Sequence, residues 1–188
     1  MAQEDFINSE TFKIYQGTLG VESDRGCVLI TVAILDDLFY AFALEKFAHG
    51  TTSVLGHLFE PPLGYLSGFM AKTDLLFALG VLTKDMHRDI VKINQLRNSC
   101  AHSVEPFQFT KEIYDSYISG TAGANLHEHL EKNDWIYSPA HINAKKTNLW
   151  RIKCEGALVL NLTLLNVFLS HIRQTPHTAK SGSGDGGG

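Results

Sequence analysis

The chain has 188 residues, of which 44% are hydrophobic and 19% are charged, and its formal net charge at pH 7 is −4. This length and hydrophobic content are typical of one globular domain with a substantial buried core. Acidic residues outnumber basic ones, so the composition does not indicate a basic surface that could bind DNA. This counts against a simple DNA-binding protein. The first residues lack the basic and apolar segments of a secretory signal, so we expect a cytoplasmic protein.

The three cysteines, Cys27, Cys100 and Cys154, are far apart in the sequence. An odd number without C-x-x-C spacing argues against a disulfide framework and against a zinc site, and reduced thiols are the simple interpretation. The sequence also lacks the G-x-G-x-x-G, P-loop, H-E-x-x-H and G-x-S-x-G motifs. We therefore expect no cofactor and no metal.

The N-terminal part of the chain is predicted to form a short helix and a long one. Residues 5–16 favour a helix that ends before Gly17. A long helix is expected over residues 23–48, with Ser23 as its N-cap. Because residues 28–35 are apolar on nearly all sides, this helix belongs at the centre of a bundle.

Two carboxylates, Asp36 and Asp37, interrupt the apolar run of the long helix. One is expected to face solvent and the other to pair with a cation, either Lys72 or Arg97. A role as metal ligands lacks supporting His or Glu at a suitable spacing.

A turn and a second core helix are predicted next. Residues 53–59 favour one or two helical turns, which Pro61 and Pro62 bring to an end. A core helix is expected over residues 67–81, and Gly80 permits a sharp reversal at its end. The side chains predicted to face inward are Phe69, Thr73, Leu75, Leu76 and Leu79.

The segment from Thr83 to His102 has the pattern of a helix, with Thr83 as N-cap and Asp85 in the first turn. The short turn before it makes this helix antiparallel to the preceding one, as in an up-down core. Helical spacing predicts a buried stripe made of Met86, Ile90, Ile93 and Leu96.

The end of this helix presents three polar groups, Arg97, Asn98 and His102. At about 100° per residue, Asn98 and His102 lie about 40° apart, and Arg97 lies about 140° from His102. An imidazole moves protons near neutral pH, a guanidinium grips phosphate oxygens, and an amide can position either partner, so the set suits work on a phosphodiester. The same groups also satisfy helix carbonyls and the helix dipole, and their chemistry leaves both interpretations open.

Beyond Pro106, a short helix is expected near Thr110, a loop over residues 120–123 and a helix over residues 126–132. The two histidines of that last segment are spaced i, i+2 and do not share a helix face. We therefore predict that these two side chains, His127 and His129, are solvated rather than metal-bound.

The remaining segments are a surface connection (133–148), a last helix (147–172) and a Gly/Ser-rich tail. The last helix is apolar on more than one side, which predicts packing on its own core and on a second subunit. Its most apolar part, residues 156–172, is shorter than most membrane spans and contains several polar residues. We expect one domain over residues 1–175 and a disordered tail over residues 176–188.

The polar helix end is part of a recognisable motif. Leu96-Arg97-Asn98-Ser99-Cys100-Ala101-His102 resembles the L-R-N-x-x-A-H signature of HEPN domains, an all-helical family in which an R-x4-6-H motif marks many ribonucleases. Several upstream runs, in the same order, resemble the mannitol operon repressor (MltR) family. The runs are Ser23-Asp24-Arg25-Gly26-Cys27, Leu35-Asp36-Asp37, Pro62-Leu63-Gly64, Phe69-Met70-Ala71-Lys72-Thr73-Asp74-Leu75 and Ala78-Leu79-Gly80-Val81-Leu82.

This resemblance covers roughly residues 20–105 and departs from the family at Tyr65-Leu66-Ser67-Gly68, a short insertion. It implies an all-α fold, a HEPN-like helical bundle with up-down antiparallel core helices and a long C-terminal helix. It also implies a negative regulator of sugar-alcohol (mannitol) operon expression. Because no helix-turn-helix reader is evident, such a regulator is expected to act through protein or RNA contacts, with direct DNA binding unlikely.

The HEPN part of the resemblance implies a different function, a metal-independent endoribonuclease. His102 would take the proton from a ribose 2′-OH, Arg97 would stabilise charge on the phosphate, and Asn98 would orient His102 or the phosphate. Two copies of the motif meet across a dimer interface in HEPN ribonucleases, so a homodimer is implied. In a third interpretation, also drawn from HEPN-like domains, the motif serves stability or forms a ligand-binding interaction module, and Arg97 pairs with Asp36 or Asp37.

Overall fold

The computed structural model describes residues 9–46, 51–62, 64–132 and 148–174, and the regular secondary structure within them is entirely helical. The predicted all-α fold is therefore confirmed. In chain order the elements are α1 (Glu10–Gly20), α2 (Asp24–Lys46), α3 (Thr52–Phe59), α4 (Phe69–Ala78), α5 (Lys84–Ala101), α6 (Lys111–Ile113), a π-helical turn (Tyr114–Ile118), α7 (Ala122–Lys132) and α8 (Leu149–Gln174).

Two long helices, α2 and α8, form the centre of the bundle. α8 packs against α1, α2 and α7, and α2 also packs against α4 and α5. By length and composition both helices could cross a membrane, but the core helices of soluble proteins meet the same criterion. Here each contributes a large share of the buried apolar side chains. The cytoplasmic location stays a prediction.

Two predicted helix starts are confirmed by side-chain caps. The Ser23 hydroxyl accepts a hydrogen bond from the amide of Gly26 at 3.0 Å. Thr83 caps α5 in the same way, with its Oγ1 3.2 Å from the Met86 amide nitrogen. Each cap satisfies a backbone donor that has no partner inside the helix.

The predicted hairpin of α4 and α5 is present, and its turn contains Gly80 with φ of 70°. This left-handed conformation favours glycine because glycine has no Cβ. In α5 the side chains of Ile90, Ile93 and Leu96 are buried as predicted. The prediction for Leu79 was wrong, since α4 ends at Ala78 and the Leu79 side chain is 56% exposed.

The predicted end of the first helix was also wrong. α1 continues through Gly17 to Gly20. A glycine inside a helix costs only about 1 kcal/mol relative to alanine. Tyr15 and Leu19 are buried one turn apart, and their packing against the bundle outweighs this penalty.

The start of α7 lies at Ala122, inside the segment predicted as a loop. The Ala122 amide donates to Asp89 Oδ2 at 2.8 Å, and the Ala124 amide donates to Thr121 Oγ1 at 3.2 Å. Asp89 belongs to α5 and is buried, so a distant carboxylate caps this helix. Local sequence does not reveal such a cap.

His127 was predicted to be solvated, but its side chain is only 2% exposed. The ring packs against Gly156 of α8 so closely that a Cβ at residue 156 would collide with it. Its Nε2 has no hydrogen-bond partner among the described residues. Burial lowers the pKa of His127, because charging the ring there would require desolvation. His129 is exposed.

A buried arginine, Arg151 of α8, joins several segments. Its Nε donates to Glu155 Oε2 at 2.8 Å, its Nη1 to Asp24 Oδ1 at 2.8 Å, and its Nη2 to the Leu19 carbonyl oxygen at 2.9 Å. The other oxygen of Asp24 accepts the Phe109 amide at 2.7 Å. This network ties α1, α2 and α8 to the loop that follows α5.

Several predictions concern residues outside the described part of the chain. These are residues 5–8 of the first predicted helix, the end of the second beyond Lys46, most of the connection (133–147) and the tail (176–188).

Candidate functional site

The three motif residues lie together and exposed at the C-terminal end of α5. Arg97 Nη1 donates to Asn98 Oδ1 at 3.0 Å. His102 is the C-cap residue, and its amide donates to the Asn98 carbonyl oxygen at 3.3 Å. The side-chain oxygen of Asn98 therefore accepts from the guanidinium, and the role of Asn98 in orienting the imidazole or a phosphate stays a prediction.

The phase of α5 explains this exposure. Leu96 and Cys100 are fully buried, and Asn98 and His102 lie on the opposite side of the helix. Arg97 lies between these two sides and is also exposed. The Cys100 thiol donates to the Arg97 carbonyl oxygen at 3.3 Å. Burial raises the pKa of Cys100 despite the nearby positive charges, so this thiol stays neutral and is a poor nucleophile.

A further arginine, Arg25 of α2, lies at the same end of α5. Its Nη2 donates to the Glu105 carbonyl oxygen at 2.6 Å, in the loop that follows His102. Sequence patterns did not single out this residue as part of the site. The signal that the sequence offered for Arg25 was its position in the Ser23–Cys27 run, but nothing in that run indicates a contact with residue 105.

The loop after His102 is held by the N-terminal end of α2. Arg25 binds the Glu105 carbonyl oxygen, and the neighbouring Asp24 accepts the Phe109 amide. Phe109 is buried, and its carbonyl oxygen accepts from Asn148 at 3.2 Å. The backbone that carries His102 is therefore anchored on both sides, by α5 and by this loop.

The two carboxylates of α2 do not take part in this site. Lys72 Nζ lies 2.8 Å from Asp36 Oδ1 as an ion pair, and it also donates to the Ser67 carbonyl oxygen at 2.9 Å. The predicted pairing with Lys72 is confirmed. Asp37 is exposed, as predicted for one of the two. The predicted structural pairing of Arg97 with either aspartate is wrong, because Arg97 binds Asn98.

The chemistry of the site follows from the side chains that it contains. The groups gathered at the end of α5 are two guanidiniums, one amide and one imidazole, and this set can bind an oxyanion and move a proton. Within the described ranges, no group of three or more His, Cys, Asp or Glu side chains could hold a metal ion.

Two solved structures have a similar fold. One is the X-ray structure of the MtlR–HPr complex from Escherichia coli, with a TM-score of 0.59, 17% sequence identity, and coverage of 86% of this chain and 99% of that chain. The other is a possible transcriptional regulator, YggD, from Shigella flexneri, with a TM-score of 0.60, 19% identity and coverage of 86% and 98%. No family model and no curated protein matches the sequence.

Proposed function

We propose that this chain is a regulatory protein of the mannitol operon repressor type that acts by contact with a protein partner. The observation that carries the proposal is the fold, which extends over nearly the whole length of two similar structures. One of them is described as a possible transcriptional regulator, and the other is MtlR in complex with the protein HPr. The sequence runs that resemble the repressor family support the same assignment.

The surface of the chain supports a protein partner over DNA. The net charge of −4 disfavours extensive contact with a phosphate backbone. Large apolar side chains are exposed instead, including Tyr65 beyond α3 and Phe77 and Leu79 at the end of α4. Exposed aromatic side chains are common anchors in protein interfaces.

Isothermal titration calorimetry with purified HPr tests this proposal, and a promoter duplex of the sugar-alcohol operon serves as the comparison. We expect saturable binding of HPr and no binding of the duplex at physiological salt. Saturable binding of the duplex alone would contradict a regulator that works through a protein partner.

A second candidate function is metal-independent cleavage of RNA, and one observation favours it. Arg97 and His102 are both exposed at one helix end, so both side chains are accessible to a strand. His102 would accept the proton of a ribose 2′-OH, and Arg97 would stabilise the charge on the phosphate. The 2′-oxygen would attack the adjacent phosphorus as the P–O5′ bond breaks, which leaves one product with a 2′,3′-cyclic phosphate. The 5′-oxygen of the other product would take up the proton held by His102 and leave as a 5′-hydroxyl. A homodimer would place two such sites together.

Cleavage of total RNA in the presence of EDTA tests this candidate. We expect His102→Ala to lower the cleavage rate by about 100-fold or more, because a general base contributes about that much. His57→Ala is the matched control, since it removes an exposed imidazole of another helix. Light scattering after size exclusion reports whether the variants keep the oligomeric state of the wild type. Equal cleavage by His102→Ala and the wild type would exclude this site.

A further inference from the structure

We propose that Arg25 and Arg97 form a two-guanidinium clamp that binds the phosphate backbone of single-stranded RNA beside His102. This inference rests on the second candidate function, because it assigns the RNA-binding residues of the same site. It adds a residue from α2 to a motif that lies in α5.

Ion pairs are distributed unevenly among the five arginines of the chain. Three of them lie within 3.2 Å of a carboxylate oxygen. The pairs are Arg88 with Asp85 and Asp89, Arg151 with Asp24 and Glu155, and Arg173 with Glu45.

The other two arginines, Arg25 and Arg97, have no carboxylate partner among the described residues. Their acceptors are neutral, the Glu105 carbonyl oxygen at 2.6 Å and Asn98 Oδ1 at 3.0 Å. A guanidinium carries five N–H donors, so these hydrogen bonds leave further donors of each arginine available to a ligand. An external oxyanion is the natural partner for such donors.

Arg25 and Arg97 lie near the same end of α5. The Arg25 guanidinium contacts residue 105, and three residues of chain span at most about 11 Å, which bounds its distance from the backbone of His102. Arg97 lies five residues before His102, about 7.5 Å along the helix axis and about 140° around it. Both guanidiniums are also close enough to the Cys100 thiol to lower its pKa electrostatically, against the larger effect of burial.

The carboxylates near Arg25 form no ion pair with it in the described structure. Asp24, next to Arg25 in the chain, faces inward and binds Arg151 and the Phe109 amide. The Glu22 carboxylate lies over Gly26, and Glu105 contacts Arg25 through its carbonyl oxygen rather than through its carboxylate. Positive charge at this end of α5 is therefore left without a paired carboxylate among the described residues, although the chain is acidic overall.

The arrangement favours single-stranded RNA over other phosphate-bearing partners. Tight binding of a duplex uses many phosphate contacts, about six to ten for a typical protein, and this site offers only a few cations. A flexible strand can bring one or two phosphates to a small clamp. His102 then has a chemical use, since only RNA presents a 2′-OH whose proton an imidazole can accept.

Fluorescence anisotropy with a labelled 12-nucleotide polyuridine RNA in EDTA tests the clamp. We expect Arg25→Gln and Arg97→Gln each to weaken binding about tenfold or more. The slope of log K against log salt should become shallower by about 0.7 for each lost phosphate contact on a single strand. Glutamine is chosen because its amide can still donate to the Glu105 carbonyl oxygen, and Arg25→Lys should restore part of the affinity.

The matched control is Arg88→Gln, which removes the same charge from an exposed arginine of α5 that already has carboxylate partners. It should change the affinity by less than about twofold. Melting curves of all variants show that each is folded before its affinity is compared. Unchanged affinity and salt slope in Arg25→Gln, with weaker binding by Arg97→Gln, would remove Arg25 from the site and leave the RNA function standing.

The other outcomes separate the clamp from ribonuclease activity. RNA binding that needs both arginines but yields no cleavage supports the clamp and contradicts the second candidate function. Failure of the wild type to bind the RNA overturns the clamp, and binding of a phosphoserine peptide in its place would assign the two guanidiniums to a phosphoprotein.

Discussion

Replacing Arg151 with methionine should lower the free energy of unfolding by about 3–5 kcal/mol, the usual consequence of removing one partner from a buried ion pair. Arg151 is 5% exposed and binds two carboxylates, Asp24 and Glu155. Without the guanidinium both partly buried carboxylates lose their ion pair with Arg151, and the Leu19 carbonyl oxygen loses its donor. Urea unfolding followed by circular dichroism measures the change.

The matched control is Arg173→Ala. Arg173 forms a comparable 2.8 Å pair with Glu45, but both side chains are substantially exposed. Exposed pairs contribute at most about 1 kcal/mol, so we expect a loss of that size or less. Equal losses in the two variants would mean that the Arg151 network does not act as a buried ionic centre.

The same substitution should also affect the loop beside the candidate site. Asp24 accepts the Phe109 amide, and Arg151 holds Asp24 in position. Faster hydrogen exchange at Phe109 in the Arg151→Met variant would report this loosening directly. Unchanged exchange at Phe109 would show that the loop is held by other contacts.

Replacing Gly123 with alanine should lower the free energy of unfolding by about 2–3 kcal/mol, as overpacking of a tight contact does. A Cβ at residue 123 would collide with the Ala157 carbonyl oxygen and would lie 2.6 Å from the Asn161 side chain. The Ala157 oxygen belongs to the backbone of α8 and cannot rotate away. α7 would have to shift from α8, which weakens the 2.9 Å hydrogen bond from the Gly123 amide to Asn161.

The control for this effect is the same substitution at Gly17, which is exposed inside α1 and where a Cβ would meet no atom of a neighbouring element within 4 Å. There alanine should raise stability by up to about 1 kcal/mol through its higher helix propensity. Thermal unfolding of both variants gives the comparison. A loss at Gly17 as large as that at Gly123 would contradict the packing argument.

Local sequence was sufficient for features that depend on neighbouring residues. Thr83 caps α5 because its hydroxyl reaches an amide three residues away, and Ile90, Ile93 and Leu96 are buried because they share one face of the same helix. The exposed cluster of Arg97, Asn98 and His102 follows from the same helical phase. The motif itself could be located because its residues are contiguous in the sequence and resemble the L-R-N-x-x-A-H signature.

Other features depend on contacts between distant segments and were missed. His127 is buried because Gly156 of another helix leaves room for its ring. α7 begins early because Asp89, 33 residues before Ala122, caps it. No local pattern encodes either contact.

Hydrophobic periodicity and helix caps act within a few residues, so the amino-acid sequence was enough to predict the helical class, the position of α5 and the polar residues at its C-terminal end. The pairing of charges, in contrast, was settled by the packing of distant helices. That packing directed Asp36 to Lys72 and Asp24 to Arg151, and it brought Arg25 to a loop 80 residues away. Ion-pair partners are selected by their distance in the folded chain, and this selection leaves two arginines beside His102 without a carboxylate partner in the described structure.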